Sequence, residues 1–161
     1  MPLLCLLDGK DRLMTLVSVV PPWTEVLMES FWPGPLTIVF PPREGLPPPI
    51  LGPTGGVAVR WSSHPVAQAL VRHLGAPVVG TSANLSGEPP CVRVEELPTR
   101  IQRGVGGILD GGPTPGGQPS TVLDCTAWPG TVVRVGSISV GALEIATGLT
   151  FRVAYPGDCG N

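Results

Sequence analysis

At 161 residues the chain is long enough for one domain with a real core and too short for two ordinary ones. Charged residues make up 14% and apolar residues 42%, which excludes a chain disordered throughout. A formal net charge of -2 excludes a global attraction to nucleic acid, so any RNA contact would rest on a local patch.

Leu3 to Leu7 reads as a strand that begins almost at the first residue and stops at the turn Asp8-Gly9. Asp11 to Val19 is expected to form a short helix. Trp23, Val26, Leu27 and Phe31 then fall at helical spacing until Pro33 stops the pattern, and these aromatics are expected in the core rather than on a base-stacking surface. Leu36 to Phe40 has the β-branched and apolar character of a strand, ended by Pro41-Pro42. Arg43 to Gly56 lacks periodicity and reads as a surface excursion.

Val57 to Trp61 is the next strand, with Arg60 near its carboxyl end. His64-Pro65 opens a helix whose apolar face is Ala67, Leu70, Val71 and Leu74, and Gly75 ends it. The apolar run Ala76 to Val79 reads as a buried strand delivering the polar loop Gly80-Thr81-Ser82-Ala83-Asn84-Leu85-Ser86-Gly87, the place where a ligand is expected to sit. Val94 to Arg103 suggests a polar surface helix interrupted by Pro98, and Gly107 to Asp110 a strand. Small hydroxyls recur where Ser120-Thr121-Val122 starts a strand; Thr131 to Val135 is the last clear strand and Ser139 to Ile145 a terminal helix. Beyond Ala146 little signal remains, so residues 1–145 are expected to form the domain and 146–161 a tail.

Neither of the common phosphate-loop patterns occurs, and Gly80-Thr81-Ser82-Ala83-Asn84 does not match a nucleophile elbow. Asp110 and Asp124 each follow a strand and adjoin a turn, where Asp is common for local reasons. His64 and His73 have no second ligand or nucleophile nearby in sequence, and both take a structural reading. Cys5, Cys91, Cys125 and Cys159 show no Cys-x-x-Cys pairing; four separate thiols fit a reducing cytoplasm, and no apolar run approaches a membrane span. The chain offers hydroxyls, amides and guanidinium groups, which suit recognition of an amino acid and a nucleotide by hydrogen bonds and charge.

Phe31-Trp32-Pro33-Gly34-Pro35-Leu36-Thr37, Val57-Ala58-Val59-Arg60, His64-Pro65, Thr81 to Gly87, Ser120-Thr121-Val122 and Arg134-Val135-Gly136 follow one another in an order that resembles the YrdC-type threonylcarbamoyl-adenylate synthases, from about Pro2 to about Leu143. The resemblance implies an α/β fold, one YrdC-like domain with a twisted mixed sheet and surrounding helices. It implies an enzyme that joins L-threonine, bicarbonate and ATP into threonylcarbamoyl-adenylate and pyrophosphate, with Mg2+ accompanying ATP, at the start of transfer-RNA threonylcarbamoyladenosine synthesis. Carried over by motif, Arg60, Ser82 and Ser120 contact L-threonine, while Asn84 and Arg134 contact the nucleotide; no catalytic residue is assigned. Proteins of the later transfer step are implied partners, and a transfer RNA contact has only weak support.

One departure concerns the N-terminal side. Family members usually carry a Pro-Thr-Glu-Thr-x-x-Tyr-Gly-Leu segment and a Lys/Arg-rich stretch ending in Lys-Pro-Leu, whereas this chain starts with Met1-Pro2-Leu3 where the latter would fall. The expectation is therefore one wall of the family's cavity without the cations that meet the triphosphate. Two other readings stay open: a non-catalytic nucleotide- or RNA-binding module derived from the fold, and a carbamoyl-transfer domain of a larger protein.

Overall fold

A computed structural model of the chain describes residues 3–85, 87–114 and 118–154. They fall into two compact units, Met1–Gly80 with Gln118–Asn161, and Thr81–Gly117.

The first unit is built on a seven-stranded mixed sheet. Its strands are β1 (Leu4–Leu7), β2 (Leu36–Phe40), β3 (Val57–Trp61), β4 (Val78–Gly80), β5 (Thr121–Asp124), β6 (Thr131–Arg134) and β7 (Arg152–Val153), ordered β4-β1-β3-β2-β5-β6-β7. The pairs β1/β3, β2/β5 and β6/β7 are parallel and the others antiparallel. Helix α1 (Pro22–Phe31) starts on a proline, whose missing N–H would be unpaired at that position anyway. Helix α2 (Pro65–Leu74) ends on Gly75 in the left-handed conformation, φ 65°. In the second unit, α3 (Thr99–Gly104) follows a single 3-10 turn at Val94–Glu96. Back in the first unit, α4 (Val140–Thr147) is capped by Ser139, whose hydroxyl accepts from the Ala142 N–H.

Strand alternation divides the sheet into two unlike faces. Leu7, Leu36, Ile38, Phe40, Val57, Val59 and Leu123 point to one side and join Leu27 and Met28 of α1 and Leu143 of α4 in the main core. On the other side lies a small apolar cluster of Val39, Ala58 and Val122. No helix among the described residues is long and apolar enough to cross a membrane.

Several expectations are corrected. Lys10–Thr15 is a 3-10 helix rather than an α-helix through Val19. Of the expected apolar face of α2 only Val71 is buried, while Leu70 and Leu74 are exposed; helical spacing arranges a stripe but does not supply the element that covers it. The strand before the polar loop is an edge strand, half-buried and paired only with β1. Gly107 to Asp110 forms no strand. Past Ala146 the chain is structured as far as residue 154: Phe151 is buried and β7 pairs with β6, a short contribution that two residues cannot announce by periodicity.

Candidate functional site: a guanidinium pair on one sheet face

The site follows from register. Thr37 of β2 stands opposite Val122 of β5, and Val122 opposite Arg134 of β6. On the other flank Ile38 pairs with Val59 and Val39 with Ala58, so one further step of the antiparallel register sets Thr37 opposite Arg60 of β3. Residues directly opposite share a face. Arg60, Thr37, Val122 and Arg134 therefore form one row across four strands, on the side away from the main core.

A bulge completes the row. The β5/β6 register shifts between Val122 and Leu123, which pair with Arg134 and Val132, so Val133 is left over. In a regular register that kept Val133 paired, Val133 would face Val122 and Arg134 would turn to the other side.

Hydrogen bonds fix the two guanidinium groups differently. Arg60 Nε donates to Gly34 O at 2.8 Å, and the Gly34 N–H returns a bond to Trp61 O at 2.9 Å, which laces the Pro33-Gly34-Pro35 turn to the end of β3. A side chain on Gly34 would bring its Cβ within 2.3 Å of Phe31 O, so this close turn requires glycine. Arg134 Nε donates to Ser120 O and its Nη2 to Ser120 Oγ, both at 3.0 Å. Ser120 Oγ in turn lies 2.9 Å from Thr37 Oγ1.

Behind this network, buried Thr121 Oγ1 donates to Ile138 O at 2.6 Å and accepts from the N–H groups of Gly136 and Ile138 at 2.9 and 3.0 Å. The segment leaving Arg134 is thus fastened to β5. Gly136 approaches so closely that a Cβ there would fall 2.0 Å from Pro119 O.

Neither guanidinium has a carboxylate within salt-bridge distance among the described residues; the ion pairs found are Lys10–Glu29 and Arg12–Asp8. Partial burial, and next the charge of Arg134, lower the Arg60 pKa from its usual value; burial does the same to Arg134. Two neighbouring, partly desolvated cations without a counter-charge, with a hydroxyl among them, make a place for an anion such as a carboxylate or a phosphate.

Of the residues expected at the site, the first unit brings together Arg60, Ser120 and Arg134. Ser82 and Asn84 belong to the second unit. There Asn84 Nδ2 donates to Leu85 O at 3.0 Å and Glu88 O at 2.8 Å, bracing its own loop, while Oδ1 is buried with no partner among the described residues. Ser82 is exposed, and Ser86 lies outside the described residues.

Sequence reasoning assigned no role to Thr37 or Thr121. The available signal was a single hydroxyl at Thr37 within the otherwise apolar Leu36 to Phe40.

The remaining candidates take local roles. Asp124 Oδ1 accepts from Thr126 N and Oγ1, and its Oδ2 from Thr54 Oγ1; Asp110 accepts from the Gly112 N–H. His64 makes no side-chain cap, and His73 Nδ1 donates to Ala69 O one turn back. Burial raises the pKa of the Cys5 and Cys125 thiols, with the Asp124 charge adding to the effect at Cys125. Cys5, Cys91 and Cys125 are free, and Cys159 lies outside the described residues. No group of three or more His, Cys, Asp or Glu side chains placed to hold a metal ion is found among the described residues.

The chain belongs to the Sua5/YciO/YrdC family: the Sua5_yciO_yrdC model, described as "Telomere recombination", matches residues 1–136. Among curated relatives, a threonylcarbamoyl-AMP synthase of Bacillus subtilis is 36% identical over 91% of this chain and 43% of its own length. One of the same name from Stenotrophomonas maltophilia is 41% identical over 80% of this chain and 66% of its own. Among solved structures, Pyrococcus abyssi Sua5 complexed with L-threonine superimposes with a TM-score of 0.87 at 34% identity, over 95% of this chain and 45% of that one. Escherichia coli YciO gives a TM-score of 0.66 at 26% identity, over 88% of this chain and 69% of that one. The chain thus spans less than half the length of the Bacillus and Pyrococcus proteins.

Proposed function

We propose that the chain is the substrate-binding core of an L-threonylcarbamoyladenylate synthase, which converts L-threonine, bicarbonate and ATP into threonylcarbamoyl-AMP and pyrophosphate. The observation that carries this reading is the Arg60–Arg134 pair, which shares one sheet face with Ser120 and has no carboxylate partner among the described residues. The names of the relatives support it, as does the L-threonine complex of the Pyrococcus protein.

In this reading Arg60 and Ser120 receive the L-threonine carboxylate. The terminal nitrogens of Arg60 have no partner among the described residues, since Gly34 takes up only Nε, and they meet it. Arg134 Nη1 likewise has no partner among the described residues and faces a phosphate of ATP. Ser82 contributes a hydroxyl to L-threonine, and Asn84 Oδ1, buried with no partner among the described residues, offers an acceptor to a donor on the nucleotide. The residues act by holding and aligning anions, the main contribution a protein makes to phosphoryl chemistry. Mg2+ suits the phosphates of ATP rather than this cationic row. The mixed anhydride product is reactive, so proteins of a later transfer to transfer RNA are the natural partners, in a reducing cytoplasm that suits the free thiols.

The test is pyrophosphate release by the chain with ATP, Mg2+, bicarbonate and L-threonine, with the adenylate detected by mass. Release that requires both L-threonine and bicarbonate is expected. Binding of L-threonine or ATP without release would favour the non-catalytic module instead.

A further inference from the structure

Resting on that reading, and narrowing it, is the hydroxyl pair Thr37–Ser120. We infer that Thr37 is a positioning residue that holds Ser120 as a hydrogen-bond donor, so that the ligand atom received beside Ser120 is an anionic or carbonyl oxygen.

A hydroxyl has one proton to give and lone pairs to receive others. Arg134 Nη2 has only protons to offer, so at 3.0 Å it occupies one acceptor direction of Ser120 Oγ. The contact of 2.9 Å with Thr37 can run either way. If Ser120 gave its proton to Thr37, the Thr37 proton would need another acceptor; Thr37 Oγ1 has none among the described residues, and Thr37 is only 3% exposed. Either direction leaves one O–H over, at a cost of about 1–3 kcal/mol where it stays buried; Ser120, 7% exposed beside Arg134, can turn that proton to a ligand or to solvent, whereas Thr37 is 3% exposed in the middle of the sheet.

Thr37 therefore donates, Ser120 Oγ receives protons from both Thr37 and Arg134, and the Ser120 proton is left pointing out of the network. Thr37 is well suited to this, because a β-branched side chain in the middle of the sheet has a restricted χ1. With guanidinium groups on the same face, the site presents donors only. A carboxylate oxygen is accepted there, while an ammonium or a ligand hydroxyl acting as donor is turned away. For L-threonine this selects the carboxylate as the end that meets Ser120.

The test has a ligand-free arm and a binding arm. In the ligand-free chain, proton NMR should show a slowly exchanging hydroxyl resonance, coupled through space to the Thr37 methyl group and absent from Thr37→Val. Failure to find it in a folded wild-type chain overturns the polarity.

In the binding arm, titration with L-threonine should weaken roughly tenfold in Thr37→Val and by less than about twofold in Thr37→Ser, as expected for loss of one hydrogen bond to a charged ligand's site. The analogue L-threoninol, which lacks the carboxylate, should bind no variant. Equal L-threonine binding by wild type and Thr37→Val, with Ser120→Ala impaired, overturns the inference while leaving the proposed function standing. If wild type ignores L-threonine but binds inorganic pyrophosphate with the same dependence on Thr37, the role of Thr37 holds and the substrate reading fails. Binding of neither probe overturns both.

Discussion

The two sides of strand β2 are almost equally buried and do opposite things. Leu36, Ile38 and Phe40, all 0% exposed, close against α1, α4 and neighbouring strands, and nothing there needs a partner. Thr37, 3% exposed on the reverse side, sits in a chain of hydroxyl and guanidinium groups whose two positive charges have no carboxylate partner among the described residues. Burial alone therefore does not separate core from site. Unmatched charge and directed hydrogen bonds do.

Damage to the apolar side should be the most costly to stability and the least informative about binding. Phe40→Ala removes a fully buried ring and is expected to cost about 3–5 kcal/mol in urea unfolding. Thr121→Val breaks the fastening of the Gly136–Ile138 segment, leaving two N–H groups and a carbonyl without their side-chain partner; a loss of about 2–3 kcal/mol is expected, again by urea unfolding.

On the polar side the balance should invert. Ser120→Ala removes the hydroxyl that meets both Thr37 and Arg134, so L-threonine affinity should fall by roughly tenfold in calorimetry, while the circular dichroism of the sheet is retained.

The smallest effect concerns the buried thiols. Cys5 and Cys125 have folded-state pKa values above the ordinary 9.0, so the unfolded chain ionises first. Their stabilising contribution is complete below that pH and lost as the pH rises through the folded values. Urea midpoints should thus decline above pH 9.0, and native Cys5 and Cys125 should resist alkylation at pH values where unfolded chains react.

How much of this was legible beforehand depended on the range of each interaction. β2, β3 and α1 announced themselves because apolar periodicity, β-branching and flanking prolines are local. Arg60, Ser120 and Arg134 were reached through motif order, yet nothing local showed that they would share a row. That depends on β2 lying between β3 and β5, and on one unpaired residue in β6. Thr37 carries no local sign of its role, because its partner Ser120 is far away in sequence. The apolar stripe of α2 stays exposed at Leu70 and Leu74 for the converse reason: periodicity specifies a face, whereas burial depends on what packs there.

The most direct test of the guanidinium pair is calorimetric titration of L-threonine and pyrophosphate into wild type, Arg60→Gln, Arg134→Gln and the double variant, with folding checked by urea unfolding. The account predicts that Arg60→Gln mainly weakens L-threonine, that Arg134→Gln mainly weakens pyrophosphate, and that the double variant binds neither, each at nearly unchanged stability. Wild-type affinity for both ligands in the folded double variant would contradict it.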